Sequence, residues 1–376
     1  MSSVFLVDEI YLICLILLFM LIGKLRKASI MEEKKYFFYL AATMNILLIL
    51  TEFACGYVNG TDEFTMYVTN WVMNILYFII SSLTCYIWFL YSGKMLREEG
   101  KKEKHPFLQA VPMLVLLVLI FIAPVKGLLF TIDHSNNYCR EPLFIVQTVI
   151  NFGYLIFASV HALITSKKTK IYRTKIEGEA LALSVVPVVI FGCTQVLVPE
   201  APTLCIGATL SLVYVYLSLQ EQAISIDSLT GLNNRTTLYS YLNEISKRSR
   251  KGRKTWILLL DVDKFKKIND DYGHYEGDHA LKIIAECMKK ACISSGDFVS
   301  RYGGDEFVIV HETAEDETPE KLCSTIHENL RKQDVSYPLS ISIGMSEYNG
   351  NSMDLPEILA TADTNMYIDK FSKREA

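Results

Sequence analysis

The stretch Arg301-Tyr-Gly-Gly-Asp-Glu-Phe-Val-Ile-Val310 decides how the second half of this chain folds. Two glycines and two acids stand between β-prone runs, Phe298-Val-Ser-Arg301 before them and Phe307-Val-Ile-Val310 after. Gly303 and Gly304 accept φ > 0 at no steric cost, so the spacing predicts a tight hairpin with this pair at its two central positions. Asp305 and Glu306 then put carboxylates at the mouth of the hairpin, alternating across the departing strand. Carboxylates beside bare backbone suit a hard divalent cation and a polyphosphate. Hairpins with solvated acids are common, so the decision rests on what surrounds this one.

Of 376 residues, 51% are hydrophobic, and the formal net charge is −4. Apolar residues crowd the chain before Leu219 and charges follow it, which predicts a membrane part and then a water-facing part. The mild charge leaves no electrostatic footprint for nucleic acid, and none is expected as a partner. The nine cysteines lack CxxC spacing, and several (Cys14, Cys85, Cys193, Cys205) lie in apolar runs. They read as small hydrophobes and not as zinc ligands or a disulfide framework.

Seven apolar stretches approach the roughly 20 residues that cross a bilayer core. They cover 4–23, 36–58, 66–92, 107–125, 143–166, 179–198 and 203–219. Residues 1–219 are therefore expected to form an all-α seven-helix transmembrane domain in contact with membrane lipid. The first stretch reads as a retained span, because Asp8 and Glu9 stand where a signal peptide carries its basic region. Lysines and arginines follow stretches one, three and five (Lys24 to Lys35, Lys94 to Lys104, Lys167 to Lys175) and are sparse in the other loops. The positive-inside rule then puts the N-terminus outside and the C-terminal part in the cytoplasm of a bacterial-type inner membrane.

Glu52, Asn70, Asn74, Gln147, Asn151 and Gln195 fall towards the outer ends of these stretches. They fit either an outward pocket for an unidentified signal ligand or bonds between neighbouring helices. His161, near an inner end, reads as structural. Residues 220–227 extend the seventh stretch without proline or glycine, predicting a helical linker that passes rotation, piston motion or dimer packing to residues 228–376.

From Leu238 onward helical and strand patterns alternate. Residues 238–247 read as a helix, and Trp256-Ile-Leu-Leu-Leu260 as a strand buried on both faces that ends in Asp261-Val-Asp263. A helix is expected from about Asp278, then the hairpin, a helix near 319–331, a strand at 339–345 and a last helix at 355–371. After its first helix this reads β-α-β-β-α-β-α, a ferredoxin-like α+β sandwich. Asp261 and Asp263 share a strand face, and the hairpin is expected to bring Asp305 and Glu306 beside them as a cluster for one or two Mg²⁺ ions. Asn269 and Asp278 offer an amide and a carboxylate to a purine edge. Taken singly, Asp278 also fits a helix N-cap and His274 an ordinary loop histidine. Lys266, Lys267, Lys370 and Arg374 are candidates for phosphate or are solvated charges.

Asp227-Ser-Leu-Thr-Gly-Leu-Asn-Asn-Arg235, Asp261-Val-Asp-Lys-Phe-Lys-Lys-Ile-Asn-Asp270 with Gly273-His274 and Gly277-Asp278, the Arg301–Phe307 stretch, Ser342-Ile-Gly344, and Ala362-Asp363 with Met366-Tyr367 and Lys370 form five motifs in order. Over about 227–374 the chain resembles the GGDEF-domain diguanylate cyclases, whose fold is the cyclase palm. The resemblance implies condensation of two GTP molecules into cyclic di-GMP with release of pyrophosphate, by a homodimer in which each domain holds one GTP. It implies Mg²⁺ (or Mn²⁺) held by Asp261, the Val262 carbonyl, Glu306 and Asp305, with Asp305 also the general base at the 3′-hydroxyl. It implies Asn269 and Asp278 on guanine, His274 close by, and Lys370 and Arg374 on phosphates.

Three departures stand out. Ser294-Ser-Gly-Asp297 lacks the arginine of the family's Arg-x-x-Asp product-inhibition site, which leaves Asp297 alone there. The segment between Val310 and Leu339 is short, and Lys373 replaces a glycine before Arg374. The competing readings are a catalytically inactive GGDEF receptor or scaffold that only binds nucleotide, and a seven-span transporter or channel with a regulatory domain. The intact acids and glycines of the hairpin argue for the enzyme.

Overall fold

The computed structural model describes residues 2–26, 32–96, 106–169, 171–198, 201, 203–247, 253–293, 295–314, 316–348 and 355–375. Contacts divide the chain into two compact units, Met1–Thr169 with Arg173–Glu221, and Lys170–Tyr172 with Gln222–Ala376.

The first unit is built on α1 (Ser2–Arg26), α2 (Glu32–Val58), α3 (Phe64–Met95), α4 (Pro106–Lys126), α5 (Phe144–Lys168), α6 (Tyr172–Leu197) and α7 (Thr203–Ile224). Its helices turn large apolar side chains outward, among them Phe19, Phe121, Phe157 and Leu217, each about 60% exposed. A bilayer would solvate such a surface, whereas water would not. Small residues let helices approach inside. A Cβ on Gly178 would stand 2.9 Å from the Ala162 carbonyl oxygen, and one on Gly207 2.7 Å from that of Pro187. Among the described residues five helices are long and apolar enough to cross a membrane, within α2, α3, α5, α6 and α7, while Phe107–Ile122 of α4 is shorter. By this measure the seven-span expectation is met only in part.

The all-α expectation needs one correction. Between α4 and α5 a short hairpin pairs β1 (Phe130–Ile132) with β2 (Tyr138–Arg140). Its turn is set by the Asp133 carboxylate, which accepts the amides of Ser135 (2.9 Å) and Asn137 (2.8 Å), and by Asn136 at φ 59°. Such short strands are easily lost in a loop when only hydropathy is read.

The second unit runs α8 (Arg235–Ser246), β3 (Arg253–Val262), α9 (Phe265–Tyr272), α10 (His274–Cys292), β4 (Phe298–Arg301), β5 (Glu306–Ala314), α11 (Glu320–Arg331), β6 (Ile341–Tyr348) and α12 (Leu355–Glu375). The sheet order is β4-β5-β3-β6 with every neighbour antiparallel, which is the expected ferredoxin-like split βαβ arrangement. Strand alternation sorts the core. Leu258, Leu260, Phe307 and Ile309 pack with Leu281, Ile284 and Met288 of α10 and Ile326 of α11. Ile257, Leu259, Val308 and Val310 pack with Leu238 and Leu242 of α8 and Ile358, Ala362 and Met366 of α12.

Two local expectations shift. The turn after β3 is itself helical as α9, opened by Lys264 in the left-handed region (φ 55°). Gly273 at φ 88° then separates α9 from α10, which therefore begins at His274 and not near Asp278. Asp278 lies in the second turn of α10 and is not its N-cap. The seventh apolar helix continues to Ile224, after which Ile226 forms a bridge with Asn233, so only the first part of the 220–227 linker is helical.

Candidate functional site

The period of two in β3 puts Asp261 on the same face as Ile257 and Leu259, towards α12, and the register sets it directly opposite Glu306 of β5 and Ser342 of β6. Two carboxylates therefore face each other across neighbouring strands, an arrangement that is destabilising without a cation between them. Burial, then the charges of Asp305, Asp261 and Asp363, push the Glu306 carboxyl above the ordinary range, with Arg235 opposing. The Asp261 carboxyl is likewise raised by burial, and Lys370 works against the rise. Lys370 Nζ donates to Asp261 Oδ1 at 2.5 Å.

That contact has a packing cause. Ala362, Met366 and Lys370 lie one above another on α12. A Cβ on Gly344 would stand 1.9 Å from the Ala362 carbonyl oxygen and 2.3 Å from the Met366 amide nitrogen. Only glycine at 344 allows α12 to lie this close to β6, and that approach delivers Lys370 to the end of β3.

The hairpin differs from its expected form. Neither Gly303 nor Gly304 has positive φ. Residues 302–305 join β4 to β5 as a four-residue loop in which the amides of Tyr302 (2.8 Å) and Gly303 (3.2 Å) both donate to the Glu306 carbonyl. Glycine is explained instead by space. A Cβ on Gly303 would stand 2.6 Å from Glu306 Oε2, while one on Gly304 would meet nothing within 4 Å. Gly303 makes room for the carboxylate, and Gly304 leaves the face of the loop open. The Val262 amide donates to the Asp305 carbonyl at 3.2 Å, pinning the hairpin to the end of β3.

A second clamp holds the hairpin from the other side. Arg301 donates Nε and Nη2 to the Gly304 carbonyl (3.1 and 2.7 Å) and Nη1 to both oxygens of Asp227 (3.1 and 3.2 Å). Asp227 also accepts the amide (2.9 Å) and hydroxyl (2.7 Å) of Thr230, and Gly231 turns the chain at φ 65°. Burial pushes the Asp227 carboxyl up, but Thr230 and Arg301 outweigh it and hold it below the ordinary value. Asn233 completes the clamp by accepting the Arg301 amide at 2.8 Å and donating to the Val299 carbonyl at 2.8 Å. Asp227 and Arg301 stand in separate sequence motifs 74 residues apart, and nothing local marks them as a pair. Only their opposite charge hints at the contact.

The four-carboxylate cluster is not assembled as expected. Asp263 lies in the turn after β3 and accepts the hydroxyls of Ser340 and Ser342, each at 2.6 Å. Among the described residues no three His, Cys, Asp or Glu side chains gather closely enough to hold a metal ion by themselves. What the structure brings together is Asp261 and Glu306, both within reach of the Asp305 charge, with Lys370 as counter-charge.

The other predicted residues sort as follows. Asn269, half-buried on α9, reaches α10: its Oδ1 lies 2.0 Å from where a Cβ on Gly277 would be, so Gly277 admits it next to Asp278. His274 and Asp278 are exposed on α10, as are Lys266 and Lys267 on α9. Arg374 belongs to α12, but its side chain lies outside the described residues, as does Ser294. Asp297 is turned inward, with its Oδ1 2.8 Å from His311 Nδ1 and its Oδ2 accepting the Ser295 hydroxyl at 2.5 Å. Lys373 donates to the Ile341 carbonyl (2.8 Å) and to Asp369 (2.6 Å), so this departure from the family pattern braces α12 on β6.

Sheet order, helix layers and the acidic hairpin together define the cyclase-palm class of α+β domain. Residues 224–376 match the family described as diguanylate cyclase, GGDEF domain, and this segment is a GGDEF domain. Diguanylate cyclase DosC of Escherichia coli (strain K12) is 37% identical over 161 residues, covering 40% of this chain and 34% of its own length. Diguanylate cyclase DgcP of Pseudomonas aeruginosa is 35% identical over 166 residues, covering 43% of this chain and 24% of its own. The chain thus spans about a third or less of the length of these relatives. The coiled coil and GGDEF domain of DgcB from Caulobacter crescentus, solved in complex with c-di-GMP, is 20% identical with a TM-score of 0.40, covering 47% of this chain and 95% of that one.

Proposed function

We propose that the chain is a membrane-bound diguanylate cyclase that condenses two GTP molecules into cyclic di-GMP and two pyrophosphates. The observation that carries this reading is the Asp261–Glu306 pair facing across β3 and β5 at the mouth of a clamped Gly-Gly hairpin. In each half-reaction the 3′-oxygen of one GTP bonds to the α-phosphorus of the other, and the bond to the departing pyrophosphate breaks. Asp305 takes the 3′-hydroxyl proton as general base. Asn269 and Asp278 orient guanine, with His274 beside it, and Lys370 and Arg374 meet phosphate charge. Each domain holds one GTP, so two copies face each other as a homodimer.

The donor set fits a hard divalent cation. Asp261 and Glu306 are opposed carboxylates whose ionisation is disfavoured first by burial and then by neighbouring acids, and they would hold Mg²⁺ (or Mn²⁺) with the Val262 carbonyl and Asp305. When bound, the ion would supply charge neutralisation for the triphosphate and the leaving pyrophosphate. Lys370 occupies Asp261 otherwise, and binding of substrate frees it for phosphate.

Residues 1–219 are proposed as a seven-span sensory domain with its N-terminus outside, 220–227 as the linker, and 228–376 as the cytoplasmic cyclase. The apolar helices and the alternating loop charge support this placement. Product control through Asp297 is not part of the proposal, because that side chain is 3% exposed and engaged with His311.

Full-length protein in lipid nanodiscs, given GTP and Mg²⁺, is expected to accumulate cyclic di-GMP, and Asp305→Ala to stop it. Retained turnover in Asp305→Ala would overturn the assignment of that residue. One observation favours a second reading, a GGDEF module that binds nucleotide without turnover: Lys370 already neutralises Asp261. GTP binding without product in the same preparation would select it.

A further inference from the structure

The helical unit holds a cavity, partly open to its surroundings, lined from α3, α5, α6, the start of α7 and β2. A second cavity adjoins it, sharing Ser81, Cys85, Leu155, Val188 and Leu204. Phe144, Phe152, Leu155 and Val188 give the first cavity much of its apolar wall.

Arg140 of β2 is the one charged side chain among its lining residues. Nη1 and Nη2 donate to the carbonyls of Val196 (3.0 Å) and Gln195 (3.1 Å), and the guanidinium lies 4.6 Å from the centre of the Phe144 ring. These partners are neutral, and Nε is buried with no hydrogen-bond partner among the described residues. Glu52 does not line the cavity. It accepts from Gln195 Nε2 at 2.5 Å, and Gln195 in turn accepts the Leu204 amide at 2.7 Å. Asn151 lines the same space, and its Oδ1 is likewise buried without a partner. A cation without a counter-charge and a carboxamide oxygen without a donor are both costly in apolar surroundings.

The segment that presents Arg140 is held firmly. Asn136, in the turn between β1 and β2, donates Nδ2 to the carbonyls of Val58 (2.8 Å) and Thr61 (2.9 Å) and accepts from Asn70 Nδ2 at 2.9 Å. Arg140 is thus a fixed group at the cavity wall and not a surface side chain folded inward.

We propose that this cavity binds a small monocarboxylate with an apolar body. The carboxylate pairs with Arg140 and takes a second hydrogen bond from the Asn151 carboxamide, which can rotate to present its NH₂. The body lies among Phe144, Phe152, Leu155 and Val188. Because the site joins β2 and α5 to α6 and α7, occupancy bears on how α7 packs, and α7 is the helix that runs on to Ile224.

The test uses the full-length chain in phosphatidylcholine nanodiscs without GTP, so its outcome is separate from the cyclase reading. Calorimetric titration with sodium decanoate is expected to be saturable, and 1-decanol to bind about tenfold more weakly or worse. Arg140→Gln is expected to abolish that preference, Arg140→Lys to keep part of it, and Asn151→Leu to weaken decanoate by about two- to tenfold. Should Arg140→Gln fail to fold, Val188→Phe serves instead. It fills the apolar end, leaves the guanidinium in place, and has to weaken acid and alcohol alike. Discs containing phosphatidylglycerol test the nature of the anion: competition there assigns the site to a lipid phosphodiester and overturns the proposal, and its absence supports a free carboxylic acid. Equal binding of decanoate and decanol, or decanoate binding indifferent to Arg140→Gln, overturns the proposal.

Discussion

Gly304→Ala separates what the hairpin needs in order to fold from what it needs in order to act. The position has ordinary backbone geometry, and a Cβ there would meet no heavy atom within 4 Å. Alanine therefore costs nothing in the folded chain and restricts the unfolded one, so stability is expected to hold or rise by up to about 1 kcal/mol. For a domain of this size that corresponds to a rise in melting temperature of at most about 2–4 °C. The same open face is where the proposed triphosphate approaches. A methyl group there displaces it by about an ångström, which costs on the order of 100-fold in rate. The assay pairs a thermal melt with cyclic di-GMP production by the same preparation. A wild-type rate in Gly304→Ala would refute the placement of substrate over this loop, and a large drop in melting temperature would refute the open space.

Gly344→Ala is the opposite case: its Cβ would collide with the Ala362 and Met366 backbone, so a loss of about 3 kcal/mol or more is expected in chemical denaturation. Asp227→Asn tests the clamp through pH. The Asp227 carboxyl is held below its ordinary value, so it contributes stability above that value and loses it as pH falls through the depressed one. The variant is expected to flatten this acid limb in melts recorded across acidic pH, and an unchanged limb would show that the Thr230 and Arg301 contacts do not hold the carboxyl down. Glu306→Gln keeps the shape of the side chain but removes one of the two opposed carboxylates, and is expected to lower the affinity for Mn²⁺ by at least about tenfold in titration calorimetry with GTP present.

Much of the second unit was legible because its signals are local. The apolar run before Asp261 forced a buried strand, and the glycines between two β-prone runs forced a hairpin. Tertiary causes were not legible. Gly303 and Gly304 suggested positive φ, whereas their reason is the Glu306 carboxylate on one side and open space on the other. Gly344 and Lys370 were recognised as motif residues, but only the packing of α12 on β6 shows that the glycine delivers the lysine to Asp261. Asp263 shared a parity with Asp261, yet the chain turns at that point and two serines take its oxygens. In the first unit hydropathy revealed helices but not the β1–β2 hairpin, whose strands are three residues each and whose turn rests on the side chain of Asp133.

The central claim is that two copies, each holding one GTP, form the product between them. The most direct measurement compares nanodiscs sorted to contain one copy or two, given GTP and Mg²⁺, with cyclic di-GMP quantified by mass spectrometry. The account predicts product from two-copy discs and none from single-copy discs kept too dilute to meet. Equal product per chain in both, or no product from the two-copy discs, would contradict it.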